Sequence, residues 1–335
     1  MEEKNWTACR HLTSEQLDTI FYTRVAACFV TFVACLVSLV IICYFVCWRR
    51  TWNTFVHRLK LQLTAVALVV SVLYLIQVLP MKLDSSPGDR HIDASKEWSE
   101  GCKVVIFLLQ YGDWVLMLMI LWLVIYLCRL AWKSGQTHTD QSVTYHQKFF
   151  EILGMVSAFV IPLLIVWMPF IGGFYGVDDH KWCEFIVRVN CTTRTRSDLE
   201  GIGYVIGTWY IPAILVTLAS TIGIITALVL VWKHYRRQGL THQMTQAVLK
   251  AIAPITYLIL FNLINVIDGT NLIYHSTSDK ESLNGSTDYQ LWLVHAVTGP
   301  GRAMTIPFGF VLSLVVVECC SQVNQKRRDA YNRLN

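Results

Sequence analysis

Seven long apolar runs dominate the pattern of hydrophobic and polar positions along this chain. A helix rises about 1.5 Å per residue, so roughly 20 apolar residues cross a bilayer core, whereas barrel strands need only about ten and alternate in polarity. The runs meet the helical length and cover residues 25–48, 61–81, 104–128, 149–176, 202–232, 251–274 and 291–317. The pattern therefore predicts an all-α membrane protein, a seven-transmembrane helix bundle.

The polar segments around the runs divide the chain into three parts. Residues 1–24 form a short extracellular tail, 25–317 the helix bundle, and 318–335 a cytosolic tail that includes a short juxtamembrane helix. Cys319 and Cys320 directly follow the last run and precede a basic stretch, which is typical of a palmitoylated surface helix. We expect these two thiols to carry the lipid.

Three glycosylation sequons predict which side of the membrane each loop faces. With seven crossings, all three lie on one face of the bilayer: Asn5, Asn190 and Asn284. Runs one, three and five each end in a tryptophan followed by a cation, which places an indole at the headgroups and a charge just beyond. These endings are Trp48-Arg49-Arg50, Trp132-Lys133 and Trp232-Lys233. The sequence thus predicts a multi-pass plasma-membrane glycoprotein with its N-terminus outside.

Composition narrows the classes of function. The 335 residues are 54% hydrophobic, with a mean hydropathy of +0.44 and a net charge of +5. The bases fit membrane-facing loops, so no nucleic-acid partner is expected. The runs contain no metal-type cluster and no nucleophile elbow, and we expect neither an enzyme nor a cofactor. A retinal Schiff base needs a lysine within a run, but Lys103 and Lys250 lie at run ends.

Outward cysteines predict a disulfide over the mouth of the bundle. Cys102 opens the third run and Cys183 lies in the next outward loop, where disulfides persist. Cys9 and Cys191 form a second, weaker candidate pair, since four cysteines allow three connectivities. We expect a Cys102–Cys183 bridge to hold the loop against the helices.

Several short motifs resemble those of G-protein-coupled receptors. Cys102 begins run three and Trp182-Cys183 stands in the second outward loop, but the run lacks an Asp/Glu-Arg-Tyr ending and run seven lacks Asn-Pro-x-x-Tyr. Three stretches instead resemble the secretin/adhesion receptors and the related cAMP-receptor-like group. They are Val56-His57-Arg58-Leu59, Gln110-Tyr111-Gly112-Asp113 and Leu121-Trp122-Leu123-Val124-Ile125-Tyr126.

The resemblance implies a receptor that transmits an extracellular, small ligand to a heterotrimeric G protein. Two features depart from the secretin pattern: the region around Leu121 carries no glutamate to partner the histidine of run two, and residues 299–302 replace a Gln-Gly pair with Gly-Pro-Gly-Arg. A transporter, a channel or an accessory membrane protein is the alternative. Against a transporter, the chain has no clear inverted repeat and no matched pair of broken helices.

Charged residues inside the runs mark a candidate ligand pocket, because an intramembrane charge is costly and faces the bundle interior with a partner. Arg302 and Asp113 both lie roughly 15–20 Å below the outer surface. We expect them to pair, with Asp268 as the alternative partner of Arg302. The pair is a ligand anchor, a state-dependent switch or a static structural contact. The remaining pocket candidates are Gln110, Asn271 and His295.

Basic residues at the inner ends of the runs are candidates for contact with the G protein. His57 and Arg58 begin run two, and Arg236 and Arg237 follow run five. An alternative role is anchoring to lipid headgroups. Movement of the inner ends of runs five and six would expose a surface for a partner helix.

Overall fold

A computed structural model describes most of the helical bundle. The described residues are 13–49, 55–78, 94–133, 143–171, 175–177, 183–185, 203–238, 264, 267, 289–290 and 292–312. Most of run six and both chain ends lie outside them.

The first four runs form four helices. Their bounds are α1 Ser14–Arg49, α2 Phe55–Val78, α3 Ala94–Lys133 and α4 Val143–Ile171. A capping box fixes the start of α1: Thr13 Oγ1 accepts from the Gln16 amide at 3.2 Å, and the Gln16 side chain accepts from the Thr13 amide at 2.9 Å. Helix α1 thus begins well before Val25. Residues 14–24, predicted as part of the tail from hydropathy, are helical and continuous with the first run.

A short β-hairpin follows α4 and departs from the purely helical expectation. Strand β1, Tyr175–Val177, pairs antiparallel with β2, Cys183–Phe185, and both strands contact α3. In run five, residues 203–205 are helical and lead into a π-helical turn, Ile206–Tyr210, which continues into α5, Ile211–Gln238. Residues 292–312, called the last helix here, correspond to run seven.

Helix α3 is the centre of the described bundle. It packs against α2, α4, α5 and the hairpin, while α1 packs on α2. Glycine allows close approach at two of these interfaces: a Cβ on Gly112 would lie 2.5 Å from Val70 Cγ2, and one on Gly223 would lie 2.6 Å from Val124 Cγ1. Small residues at helix interfaces are typical of membrane bundles, where close packing drives association.

The outer faces of the helices are apolar and suited to lipid. Five described helices are long and apolar enough to cross a membrane, over Glu15–Tyr44, Arg58–Val78, Gly101–Arg129, Phe149–Ile171 and Gly203–Lys233. Large side chains such as Phe29, Leu164 and Ile222 are more than half exposed on this surface. In contrast, nearly every residue of α3 between Gly112 and Ile120 is buried. The polar groups of interest lie in this interior.

Candidate functional site

The central feature of the interior is an ion pair between α3 and the last helix. Arg302 Nη2 lies 3.5 Å from Asp113 Oδ2, and both side chains are less than a tenth exposed. The hydroxyl of Tyr74 on α2 donates to Asp113 Oδ2 at 3.2 Å and accepts from Arg302 Nη2 at 3.3 Å. Arg302 Nε also donates to the Gly299 carbonyl at 3.4 Å. Three helices therefore meet at one charged contact. Arg302 pairs with Asp113, the partner predicted first from the sequence.

A second guanidinium joins this contact to α1. Arg24 Nη2 donates to Gln77 Oε1 at 2.9 Å, and the Arg24 guanidinium carbon lies 5.9 Å from the centre of the Tyr74 ring, within cation–π range. Arg24, Tyr74, Gln77, Asp113 and Arg302 form the central polar network, and all five are buried. It connects α1, α2, α3 and the last helix.

The hairpin covers the central polar network and is fixed to it. A disulfide joins Cys102 on α3 to Cys183 on β2, with 5.2 Å between the Cα atoms. The amide of Gln77 donates to the Cys183 carbonyl, and the Tyr175 hydroxyl donates to Gln110 on α3. Burial raises the pKa of the Tyr175 hydroxyl, so it remains a proton donor at neutral pH. The predicted disulfide is present and holds the loop on the bundle.

The π turn near the start of run five places an aromatic side chain, Trp209, beside Arg302. Its Trp209 ring lies 5.5 Å from the guanidinium carbon of Arg302 and packs edge-to-face on Trp114 of α3, with 5.6 Å between ring centres. Turns of this kind insert an extra residue into a helix and are frequent at functional sites. Here the turn brings an indole against the cation of the buried ion pair.

One oxygen of the ion pair is available for further bonding. Asp113 Oδ1 is buried, and within the part of the chain that the structure describes it accepts no hydrogen bond. An ionised carboxylate accepts at both oxygens, so the site has unused acceptor capacity beside the pair. The described residues contain no group of three or more histidine, cysteine or acidic side chains suited to a metal ion.

The opposite end of the bundle carries a different ion pair. Arg58 Nη2 on α2 lies 2.5 Å from Glu151 Oε2 on α4, with side-chain exposures of 42% and 15%. Arg236, at the end of α5, is exposed and lies 5.2 Å over the Trp232 ring. His57 lies in α2 and Arg237 in α5, but their side chains lie outside the description. The expected basic face is thus partly neutralised by Glu151 at Arg58.

The remaining predicted residues are not brought to the network by the described contacts. The His295 ring packs edge-to-face on Trp292, 5.6 Å between centres, two turns before Arg302 on the last helix. The other candidates lie outside the described residues and stay predictions: Cys9, Cys191, Asn5, Asn190, Asn284, Asp268, Asn271, Cys319 and Cys320.

Sequence reasoning missed four residues of this site. Arg24 was assigned to the tail, although the Thr13–Gln16 capping box signals an earlier helix start. Tyr74 and Gln77 are spaced by three in run two and so share a helix face, which is a detectable signal. The position of Trp209 depends on the π turn, and nothing in the hydropathy pattern indicates that turn.

Comparisons with known proteins agree with this architecture at the level of fold. No family model matches the chain, and no curated protein matches it. Among solved structures, squid rhodopsin aligns with 91% of this chain and 80% of its own, with a TM-score of 0.58 and 11% sequence identity. The chain has a seven-helix, G-protein-coupled-receptor-like fold. At this identity the likeness establishes the fold of a multi-pass membrane protein.

Proposed function

We propose that this chain is a plasma-membrane receptor that transmits the binding of a small extracellular ligand to a heterotrimeric G protein. The observation that carries the proposal is the central polar network beneath the hairpin. Buried charges in a membrane bundle are costly and concentrate where ligands or ions act. Here they join four helices directly under the loop that faces the outside in the proposed orientation.

The network suits a receptor because it links a covered site to several helices at once. A ligand that alters the Asp113–Arg302 contact changes what holds α3 to the last helix, and Tyr74 extends the same change to α2. Interfaces of this kind have discrete arrangements, so a small local change favours one arrangement over another. The proposed inner surface for the G protein includes His57, Arg58, Arg236 and Arg237.

The receptor class is a finer part of the proposal. It rests on the three short stretches at residues 56–59, 110–113 and 121–126, which resemble the secretin/adhesion and cAMP-receptor-like groups. Asp113, from the second stretch, belongs to the central polar network, and Arg58, from the first, forms the α2–α4 ion pair. These positions support the interpretation that the first two stretches are functional motifs of a receptor.

Activation of Gα subunits in living cells tests the proposal. The chain is expressed with sensors for each major Gα class, and a double variant, Arg236→Glu with Arg237→Glu, is compared at equal surface display. Lys103→Glu reverses a charge near the other end of the bundle and serves as the matched control. We expect basal or extract-stimulated activity in the parent and control, and its loss in the double variant.

Two outcomes would contradict different parts of the proposal. Equal activity in the double variant would refute the proposed G-protein contact at the end of α5 and leave the receptor in place. Silence in all classes together with solute or ion flux that needs Arg302 would favour the transporter alternative. An accessory protein would show neither activity and would instead alter the surface display of a partner.

A further inference from the structure

The geometry of the buried ion pair points to the chemical class of the ligand: we propose that the Asp113–Arg302 site binds a small zwitterion of the amino-acid type. The inference rests on the proposed receptor function and specifies its ligand. In the bound state the ligand's ammonium group pairs with Asp113 and its carboxylate with Arg302. The ligand thus takes the place of each residue's present partner.

The first argument is the looseness of the pair. Charge-assisted contacts between nitrogen and carboxylate oxygen typically measure about 2.7–2.9 Å. The Arg302 Nη2 to Asp113 Oδ2 distance is 3.5 Å, and the same Nη2 is shared with the Tyr74 hydroxyl. The contact between these two opposite charges is therefore longer than a close charge-assisted hydrogen bond. Such a contact can be exchanged for two shorter ones.

The second argument is charge compensation. The cation paired with Asp113 is Arg302, whereas the other buried guanidinium of the network, Arg24, bonds Gln77. A simple anion that takes Arg302 would leave the Asp113 carboxylate without its paired cation, and a simple cation at Asp113 would leave Arg302 without its paired carboxylate. A ligand with one charge of each sign compensates both side chains at once. The site therefore favours a zwitterion over either singly charged relative.

The third argument is the free acceptor and the neighbouring aromatic ring. Asp113 Oδ1 is buried and accepts no hydrogen bond within the described residues, whereas an ammonium group carries three donors. The Trp209 ring beside Arg302 adds an apolar surface for a ligand side chain. Both features suit a small amino acid better than an inorganic ion.

Entry to the site requires displacement of the hairpin contacts above it. Gln110 lies one turn from Asp113 on α3 and accepts from Tyr175 of β1. Gln77 donates to the Cys183 carbonyl and accepts from Arg24. The contacts of the hairpin with the helices above the ion pair are therefore made by hydrogen-bonding groups, which can also bond a polar ligand.

Thermal stabilisation of the purified full chain tests the inference without any G protein. The probes are the twenty common L-amino acids and β-alanine, each compared with its N-acetyl derivative and its methyl ester. We expect at least one zwitterion to stabilise the parent chain. Both blocked forms of it should bind about 30-fold more weakly or worse, the fold-change corresponding to the low end of the cost of an unpaired buried charge.

Two variants give reciprocal expectations. Asp113→Asn removes the need for an ammonium group. The N-acetyl derivative should therefore bind to this variant more tightly than the zwitterion does. Arg302→Met removes the need for a carboxylate, so the methyl ester should be preferred. Because the blocked derivatives already test the parent chain, a variant that fails to fold does not remove the test.

The results separate this inference from the proposed function. Absence of stabilisation by every zwitterion, or equal stabilisation by a zwitterion and its blocked forms, would overturn the ligand class. Gα activation by a ligand of another class, with no zwitterion binding, would overturn the ligand class and leave the receptor standing. Zwitterion binding with no Gα activation in any class would support the site and count against the receptor.

Discussion

The Asp113–Arg302 ion pair allows a quantitative test of what holds the bundle together. At 3.5 Å, and with an effective dielectric constant of about 20, the attraction between two unit charges is about 5 kcal/mol. Solvent screening is small because the side chains are 9% and 6% exposed. Removal of one partner leaves the other charge buried, which typically costs about 3–5 kcal/mol. Replacement of both by apolar side chains of similar volume is often neutral.

The perturbation is a double-mutant cycle of Asp113→Leu and Arg302→Met. A loss of 1 kcal/mol lowers the melting temperature by roughly 2–4 °C in domains of 150–250 residues. On that scale each single variant should melt about 6 °C or more below the parent. The double variant should melt within about 2 °C of it. The measurement is the fraction of monodisperse protein that survives heating in detergent, scored by fluorescence-detected size-exclusion chromatography.

A separate variant distinguishes the charge effect from the hydrogen bonds. Tyr74→Phe removes the hydroxyl that bridges the pair but leaves both charges. Its cost should be about 0.6–1.7 kcal/mol, the range for hydrogen bonds between membrane helices. If the double variant loses as much as the sum of the two single variants, the two residues are not coupled. The ion pair would then not be what holds α3 to the last helix.

Two further predictions concern helix contacts. Gly112→Ala should destabilise the bundle by about 1–3 kcal/mol, because its Cβ would overlap Val70, and Val70→Ala in the same chain should recover most of the loss, as measured by melting in detergent. Arg58→Gln should cost under about 1 kcal/mol, because the ion pair with Glu151 is partly solvent-exposed, and a loss above about 2 kcal/mol would show a stronger α2–α4 link.

The fold was largely predictable because the bilayer constrains it so strongly. Backbone groups must be satisfied within each crossing segment, so a long apolar run in lipid becomes a helix. Hydropathy does not locate helix ends as well, because a helix can extend beyond the hydrocarbon into polar sequence. Helix α1 illustrates this, since it starts at Ser14, behind the Thr13–Gln16 capping box, and thereby places Arg24 inside the bundle.

The site was predictable only where a charge interrupted an apolar run. Asp113 and Arg302 met that criterion, and the structure pairs them. Tyr74 is amphipathic and common in apolar runs, so its role depends on the rotation of α2 about its axis, which the sequence does not specify. Trp209 depends on a π turn that shifts the register of the residues after it. Such features require tertiary packing.

The two ends of the described bundle are held together by different forces, and this difference bears on signalling. Lipid tails are as apolar as the helix surfaces, so hydrophobic burial does not by itself select which helices meet. Near the hairpin, a disulfide and the central polar network specify those contacts. Toward Arg58, apolar residues such as Leu63 and Leu123 pack beside a buried cation, Lys60, whose Nζ lies 5.0 Å over the Phe310 ring. The Arg58–Glu151 ion pair at that end is partly exposed. The described residues at that end carry no disulfide, so helix rearrangement there, where the proposed G protein would bind, breaks no covalent link between the described elements.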